Sequence, residues 1–262
     1  MTSARSQLAD RRGHDSRFRT VPDPSGRRSG GSGGSRSATD GRVIAAFATD
    51  LDRTLLRPGG SPSPVGRTAL REAQAMGLRT LLVSGRAYSE LGRLARDFGA
   101  VDGIVAENGA VVEAPLGSPP TVVGGRSMAR ARRRLKDRQE LHCEFGEVIV
   151  SVPRREQRLL AETLAGLSVR VTRNVDRLMV LPGSVTKRSG TRLALRQLGL
   201  GRSGYAAIGD AENDLDLLRG ARFAGAVANA EPSVREAAAY VCRGRCERGV
   251  LEFVRGPLSR GR

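Results

Sequence analysis

The sequence predicts an α/β protein, a doubly wound, Rossmann-like and mostly parallel sheet with an α+β cap domain inserted into it. Three observations carry that expectation. From residue 42 short apolar runs alternate with segments of helical period, the pattern of a parallel sheet covered on both faces. That rhythm breaks near residue 113 and resumes near residue 184, so the core is discontinuous and the insert has the size of a small domain. Acidic residues recur just where the apolar runs end, as in "AAFATDLDRTLL".

Residues 1–41 contain "RRGHDSRFRT" and "SGRRSGGSGGSRSATDG", which are too poor in apolar side chains to pack, and are expected to form a disordered basic tail. "GSGGSR" within it lacks the Gly-Lys-Ser/Thr ending of a phosphate-binding loop. The first part of the core spans 42–112. There "VIAAFAT" reads as a strand, and "SPVGRTALREAQAMG" as a helix with Ser63 as N-cap, Pro64 at its first position and Gly77 as its stop. "LRTLLVSG" is the next strand, "AYSELGRLARDFG" the next helix, and "GIVAENGAVV" a strand that turns back at Asn108 and Gly109. "EAPLGSPPTVVGG" opens the insert, 113–183, with a helix over 126–139, a strand at "GEVIVSV", a helix at "REQRLLAETLAG" and strands at "SVRVT" and "RLMVL". The rest of the core, 184–262, reads as helix "TKRSGTRLALRQLG", strand "YAAIGD", helix "NDLDLLRG", strand "FAGAVANA" and helix "PSVREAAA".

Bulk properties narrow the function. A net charge of +17 invites a nucleic-acid partner, because clustered cations release counterions from phosphates. Against it, aromatics make up only 3% of the chain and tryptophan is absent, so stacking platforms for single strands are scarce. Lys136 and Lys187 are the only lysines among 44 basic residues, a skew that reflects codon bias more readily than a binding surface. No run of eighteen apolar residues and no signal-type apolar segment occur, so no membrane partner is expected and a cytoplasmic address is. Cys143, Cys242 and Cys246 read as reduced thiols, since the C-x3-C pair has no second pair of metal ligands.

In an open parallel sheet, ligands bind outside the carboxyl ends of the strands. That rule gathers Asp50 and Asp52, Ser84, and Asp210 with Asp214 on one rim, with Lys187 opening the helix between the last two strand ends. A carboxylate attacking a phosphate dianion meets repulsion of about 4 kcal/mol per charge pair at 4 Å and an effective dielectric near 20. Magnesium, a hard ion that prefers oxygen ligands, can be held by Asp50 and Asp210 to offset it, and Lys187 adds a point charge. Ser84 and the backbone N–H groups of Gly85 and Arg86 are placed to cradle phosphate oxygens. Asp52, two residues past Asp50, points to the same side and can give a proton to the leaving oxygen, then take one from water.

"DLDRT", "VSGR", the lone Lys187 and "GDAEND", in that order, resemble the four motifs of the haloacid dehalogenase-like phosphatases. "ENGAVV" and "VANAEPSVREAAAYV" resemble the Cof-type subgroup, which includes phosphoglycolate and sugar phosphatases with a large C2-type cap. The resemblance covers about residues 43–254 and is weakest in the insert. It implies that Asp50 is the nucleophile of an aspartyl-phosphate route with Mg2+, and that Asp52 is acid and base while its carbonyl binds metal. Ser84 would hold the phosphoryl group beside Thr54, Gly85 and Arg86, Lys187 would steady nucleophile and phosphate, and Asp210 and Asp214 would hold or orient the metal. The implied partner is a small phosphorylated metabolite such as phosphoglycolate, a sugar phosphate or a sugar-phosphoglycerate. Arg53 departs from the pattern, standing where glycine is frequent in the family; it can touch substrate or face solvent, and the second is the simpler reading.

Blander readings compete with each element. "DAENDLDLL" is not a calcium loop, because its sixth position is Leu215 and its twelfth Ala221. Lys187 could be a solvated cation, but a compact ammonium in an arginine-using chain points to a need for a point charge. "RSMARARRRLKDR" reads as a solvated helix face with Met128, Ala131 and Leu135 as its apolar stripe, or as a source of arginines for an acidic substrate. His14 and His142 have no evident partner in the sequence. Asn213 can contact substrate or cap its helix. Two other functions remain open, a phosphomutase on the same fold and a basic nucleic-acid-binding protein on an idle core.

Overall fold

The computed structural model describes residues 19–21, 43–174 and 176–260. Most of the expected disordered tail, His14 included, lies outside them. The part of it that is described, β1 (Arg19–Val21), is a strand.

The first core segment contains β2 (Ile44–Thr49), α1 (Pro64–Ala75), β3 (Arg79–Val83), α2 (Tyr88–Phe98), β4 (Gly103–Ala106) and β5 (Val111–Glu113). The sequence signals act as expected at α1, where the Ser63 hydroxyl accepts from Gly66 N at 3.1 Å and Pro64 fills the first position. Next come β6 (Thr121–Val123), α3 (Gly125–Asp137), β7 (Glu144–Phe145), β8 (Val150–Pro153), α4 (Gln157–Leu164), β9 (Val169–Asn174) and β10 (Arg177–Pro182). The chain then adds α5 (Lys187–Gln197), β11 (Gly204–Gly209), α6 (Leu215–Gly220), β12 (Phe223–Ala226), α7 (Pro232–Ala237), β13 (Tyr240–Val241) and α8 (Cys246–Phe253).

Nine strands form one sheet in the order β1-β6-β5-β4-β3-β2-β11-β12-β13, and β7-β8-β10-β9 form a second. In the large sheet β4, β3, β2, β11, β12 and β13 run parallel, while β5 pairs antiparallel with both neighbours. The small sheet is antiparallel throughout. The parallel strands read as unbroken apolar runs because both faces are covered: Phe47, Leu81, Leu82, Ile104, Val105 and Ile208 are all fully buried. Strand order climbs outward from β2 through β3 on one side and from β11 through β12 on the other. The chain therefore reverses direction across the sheet between β2 and β11, the crevice where doubly wound folds bind ligands.

Three features differ from the sequence expectation. Thr121–Val123, within the proline-rich opening of the insert, joins the large sheet beside β5, so sheet pairing outlasts the break in rhythm. "GEVIVSV" is a hairpin arm preceded by a loop, since Gly146 turns the chain and only Val150–Pro153 pairs with β10. Beyond "PSVREAAA" the chain adds β13 and α8, whose Phe253 stacks on Phe223 at 5.3 Å between centroids. Met128, Ala131 and Leu135 are buried as the apolar stripe of α3.

α5 docks closely on the Glu107–Gly109 turn. Gly109 has φ +103°, and a Cβ there would fall 2.1 Å from the carbonyl of Thr186; one on Gly190 would fall 2.6 Å from Gly109 Cα. Two side-chain-free positions thus bring the start of α5, and Lys187 with it, against the rim.

Candidate active site

Asp50 and Asp210 follow β2 and β11, the two strands that flank the reversal. The Asp50 N–H donates to the Ile208 carbonyl at 3.0 Å, which pins the residue beyond β2 to its neighbour. Lys187, the first residue of α5, is 2% exposed, and its Nζ donates to Asp50 Oδ1 at 2.7 Å and to Asp214 Oδ1 at 2.6 Å. A capping box between Thr186 and Ser189 fixes that first turn. Asp214 closes the 3-10 turn Glu212–Asp214 and accepts on Oδ2 from the N–H groups of Asp210, at 3.0 Å, and Ala211, at 3.1 Å.

Ligand atoms of Asp50, Asp210 and Asp214 lie within 4.8 Å of one another, and all three residues are buried. One ammonium cannot neutralise three carboxylates at such distances. Burial pushes the Asp50 carboxyl well above the usual range and Asp214 adds to the push, while Lys187 draws it partly back. Burial, with help from Asp214, raises Asp210 to about 6. Burial draws the Lys187 ammonium down, but Asp214 and Asp50 outweigh it and leave its pKa above the ordinary lysine value.

The donor set fits a hard divalent cation. Asp210 Oδ1 accepts from the Thr54 hydroxyl at 3.1 Å, whereas its buried Oδ2 has no hydrogen-bond partner. Arg53 Nε is 3.3 Å from that oxygen but lacks hydrogen-bond alignment, so the contact is one of charge alone. With charge nearby but no hydrogen bond, that oxygen keeps its lone pairs free to ligate a hard cation. Both oxygens of Asp214 are already taken by Lys187 and backbone N–H groups, which suits it to orienting Lys187 and Asp210.

Asp52 stands apart from this cluster. Arg86 forks onto it, Nε donating to Oδ2 at 2.9 Å and Nη2 to Oδ1 at 2.5 Å, and also pairs with Glu90. The hydrogen bond to Asp52 is the main reason the Arg86 guanidinium is pushed above its ordinary value. Ser84 is 2% exposed, its hydroxyl accepting from Arg86 N at 3.2 Å and its carbonyl from Asn108 N at 3.0 Å. Gly85 has little room beside it, since a Cβ would sit 3.1 Å from Asn108 Nδ2. Thr54 is fully buried against Asp210. Asn213 is half-buried and lines, with Lys187 and Asn108, a cavity of about 210 Å³ under β9.

Two sequence expectations are corrected. Arg53 does not simply face solvent: besides Asp210, its Nη2 donates to the Asn229 carbonyl at 3.4 Å, and Asn229 Nδ2 donates back to the Arg53 carbonyl at 2.8 Å. Its φ of +60° is the conformation for which glycine is the usual choice. His142 does have a partner, Glu156 Oε1 at 2.7 Å from Nδ1. Sequence reasoning also missed Glu107, which lies fully buried with its carboxylate accepting from the N–H groups of Glu147, Val148 and Ile149 at 2.8, 2.9 and 3.1 Å. A charged residue inside an apolar run was the only available signal.

A doubly wound sheet whose switch point carries a buried lysine and a metal-suited carboxylate trio defines a class, the α/β enzymes that do chemistry at the carboxyl rim of the sheet. Within it, the chain belongs to the haloacid dehalogenase-like hydrolases, whose family model matches residues 47–118 and 155–254. It is 32% identical over 218 residues to a phosphoglycolate phosphatase of Methanothermobacter thermautotrophicus, covering 81% of this chain and 98% of that one. A phosphoglycolate phosphatase of Metallosphaera sedula is 29% identical, over 83% and 100% of the two chains. Among solved structures, a Thermoplasma acidophilum protein shares the fold with a TM-score of 0.71 at 15% identity, over 81% of this chain and 97% of that one. A sugar phosphatase of HAD subclass IIB does so with a TM-score of 0.62 at 20% identity, over 76% and 93%.

Proposed function

We infer that this hydrolase cleaves phosphate monoesters of small metabolites, with Mg2+ as cofactor and Asp50 as nucleophile, and that phosphoglycolate is the first substrate to try. The observation that carries the reading is the Lys187 bridge: one buried ammonium holds both Asp50 and Asp214 at the switch point, beside an Asp210 oxygen that accepts no hydrogen bond. The kinship to phosphoglycolate phosphatases supports the substrate class.

Asp50 and Asp210 would hold Mg2+, which would supply positive charge for the phosphate oxygens. Lys187 favours the ionised form of Asp50 and holds it in place, and Ser84 and neighbouring N–H groups receive the phosphoryl oxygens. An Asp50 oxygen forms a bond to phosphorus as the bond to the ester oxygen breaks, and Asp52 gives its proton to that leaving oxygen. Water then attacks the phosphorus, Asp52 takes its proton, and Asp50 is released with inorganic phosphate. For this Asp52 must free one oxygen from the Arg86 fork, a movement within reach of a half-exposed pair. The strands and helices of 124–183 would act as the cap that excludes bulk water.

The test is release of p-nitrophenol from p-nitrophenyl phosphate with and without Mg2+. Turnover that needs the ion and vanishes in Asp50→Asn is expected; full turnover in that variant overturns the mechanism.

A further inference from the structure

We propose that Arg170, on the edge strand of the small sheet, is the residue that reads a carboxylate on the substrate, so that the cavity selects compact phosphate monoesters of hydroxy acids. This rests on the phosphatase reading above and adds a specificity determinant to it.

β9 is the outermost strand of the small sheet and packs over the Glu212–Asp214 turn. Side chains alternate along a strand, so Arg170 and Thr172 share one face while Val171, 45% exposed, points away. That shared face roofs the cavity whose other walls include Lys187, Asn108 and Asn213. A phosphate seated at Lys187 therefore has Arg170 across the same small space.

The guanidinium is tethered, and its ion pair with Asp216 is a loose one. Its Nη2 donates to the Val185 carbonyl at 2.6 Å, its Nε is buried with no hydrogen-bond partner, and its Nη1 stops 3.7 Å from Asp216 Oδ2, beyond hydrogen-bond range. Glu212 and Asp216 stand against Arg170 and Arg219 around the cavity, and its third cation, Lys187, is held by Asp50 and Asp214, so charge alone does not select a second anionic group. Directional N–H donors do, and a planar guanidinium matches a carboxylate as an ammonium does not. Size sharpens the choice. A volume of about 210 Å³ lies at the small end for ligand pockets, which suits an ester of few atoms. None of the arginines of α3 lines this cavity, and Arg132 and Arg134 donate to backbone carbonyls within the insert.

The experiment compares 2-phosphoglycolate with ethyl phosphate, which lacks the carboxylate, for the full chain with Mg2+ and for Arg170→Gln and Arg170→Lys. Loss of one partner of a hydrogen-bonded charge pair predicts a fall in kcat/KM on phosphoglycolate on the order of 30- to 1,000-fold in Arg170→Gln. Ethyl phosphate should change less than about threefold, and Arg170→Lys should recover part of the loss, since it restores the charge without the fork. Calorimetry in an Asp50→Asn background should show phosphoglycolate binding weakened by the same substitution. Equal losses on both esters, or none on phosphoglycolate, overturn the assignment while leaving the hydrolase intact. A wild-type chain that cleaves neither these esters nor p-nitrophenyl phosphate sinks the hydrolase reading itself.

Discussion

At the scale of single residues, the site is a contest between negative charge and the few cations that offset it. Asp210 makes the contest measurable. Its carboxyl is raised from the usual 3.8 to about 6, chiefly by burial, so in the metal-free protein its contribution to stability is complete below about pH 4 and is lost as pH climbs through 6. A divalent ion reverses that penalty but must displace the proton first. Mg2+ should therefore raise the melting temperature more at pH 7 than at pH 5, and its affinity should weaken by up to about tenfold per pH unit below 6. A Mg2+-induced shift that is flat from pH 5 to 7 would contradict this. Lys187→Met removes the partner of two buried carboxylates and should cost about 3–5 kcal/mol in urea denaturation at pH 8, less whatever Asp50 recovers by taking up a proton. At this scale the sequence was most informative, because strand ends are marked by composition and the four motifs fall on them. It could not place Arg53 or Arg170, whose partners Asn229 and Val185 are fixed by packing across elements rather than by any local pattern.

Among elements, the joint between the two sheets matters most. The Glu107 carboxylate takes three N–H groups of the loop between β7 and β8, and Arg132 takes the carbonyls of Gly146, Val148 and Ile149 from the other side. Glu107→Gln removes the charge from this clasp and should lower stability by about 1.5–3 kcal/mol. Amide exchange should rise most in 146–149; uniform loosening of the whole chain would argue that Glu107 is only a core residue. Gly146→Ala probes the same clasp sterically, since its Cβ would fall 2.6 Å from Glu107 Oε1, and overpacking of this kind costs about 1–3 kcal/mol. Helix and strand identities were largely legible, owing to clear periodicity and the Ser63–Pro64 and Thr186 starts. β6 was not, because "PPTVV" is too short and too close to prolines to signal pairing with β5. α8 was hidden by Arg248 and Gly249, and it is packing on α1 and the stacking of Phe253 that hold it.

For the whole molecule, the +17 charge reads differently once the site is in view. A strongly positive chain attracts a dianionic ester from a distance, an effect that salt screens within about 8 Å at physiological ionic strength. Raising ionic strength from 20 to 300 mM should thus lower kcat/KM severalfold, on the order expected for steered encounter, with kcat nearly unchanged. A salt-insensitive kcat/KM would assign the charge another purpose. The interrupted rhythm marks where the strands of the separate small sheet lie, whereas the way that sheet's edge strand roofs the rim depends on contacts between distant segments. The Lys187 bridge joins residues on either side of that insert, Asp50 before it and Asp214 well after. A chain emerging from the ribosome therefore carries Asp50 long before the ammonium and the acid that join it, and the cluster cannot assemble until synthesis has passed Asp214.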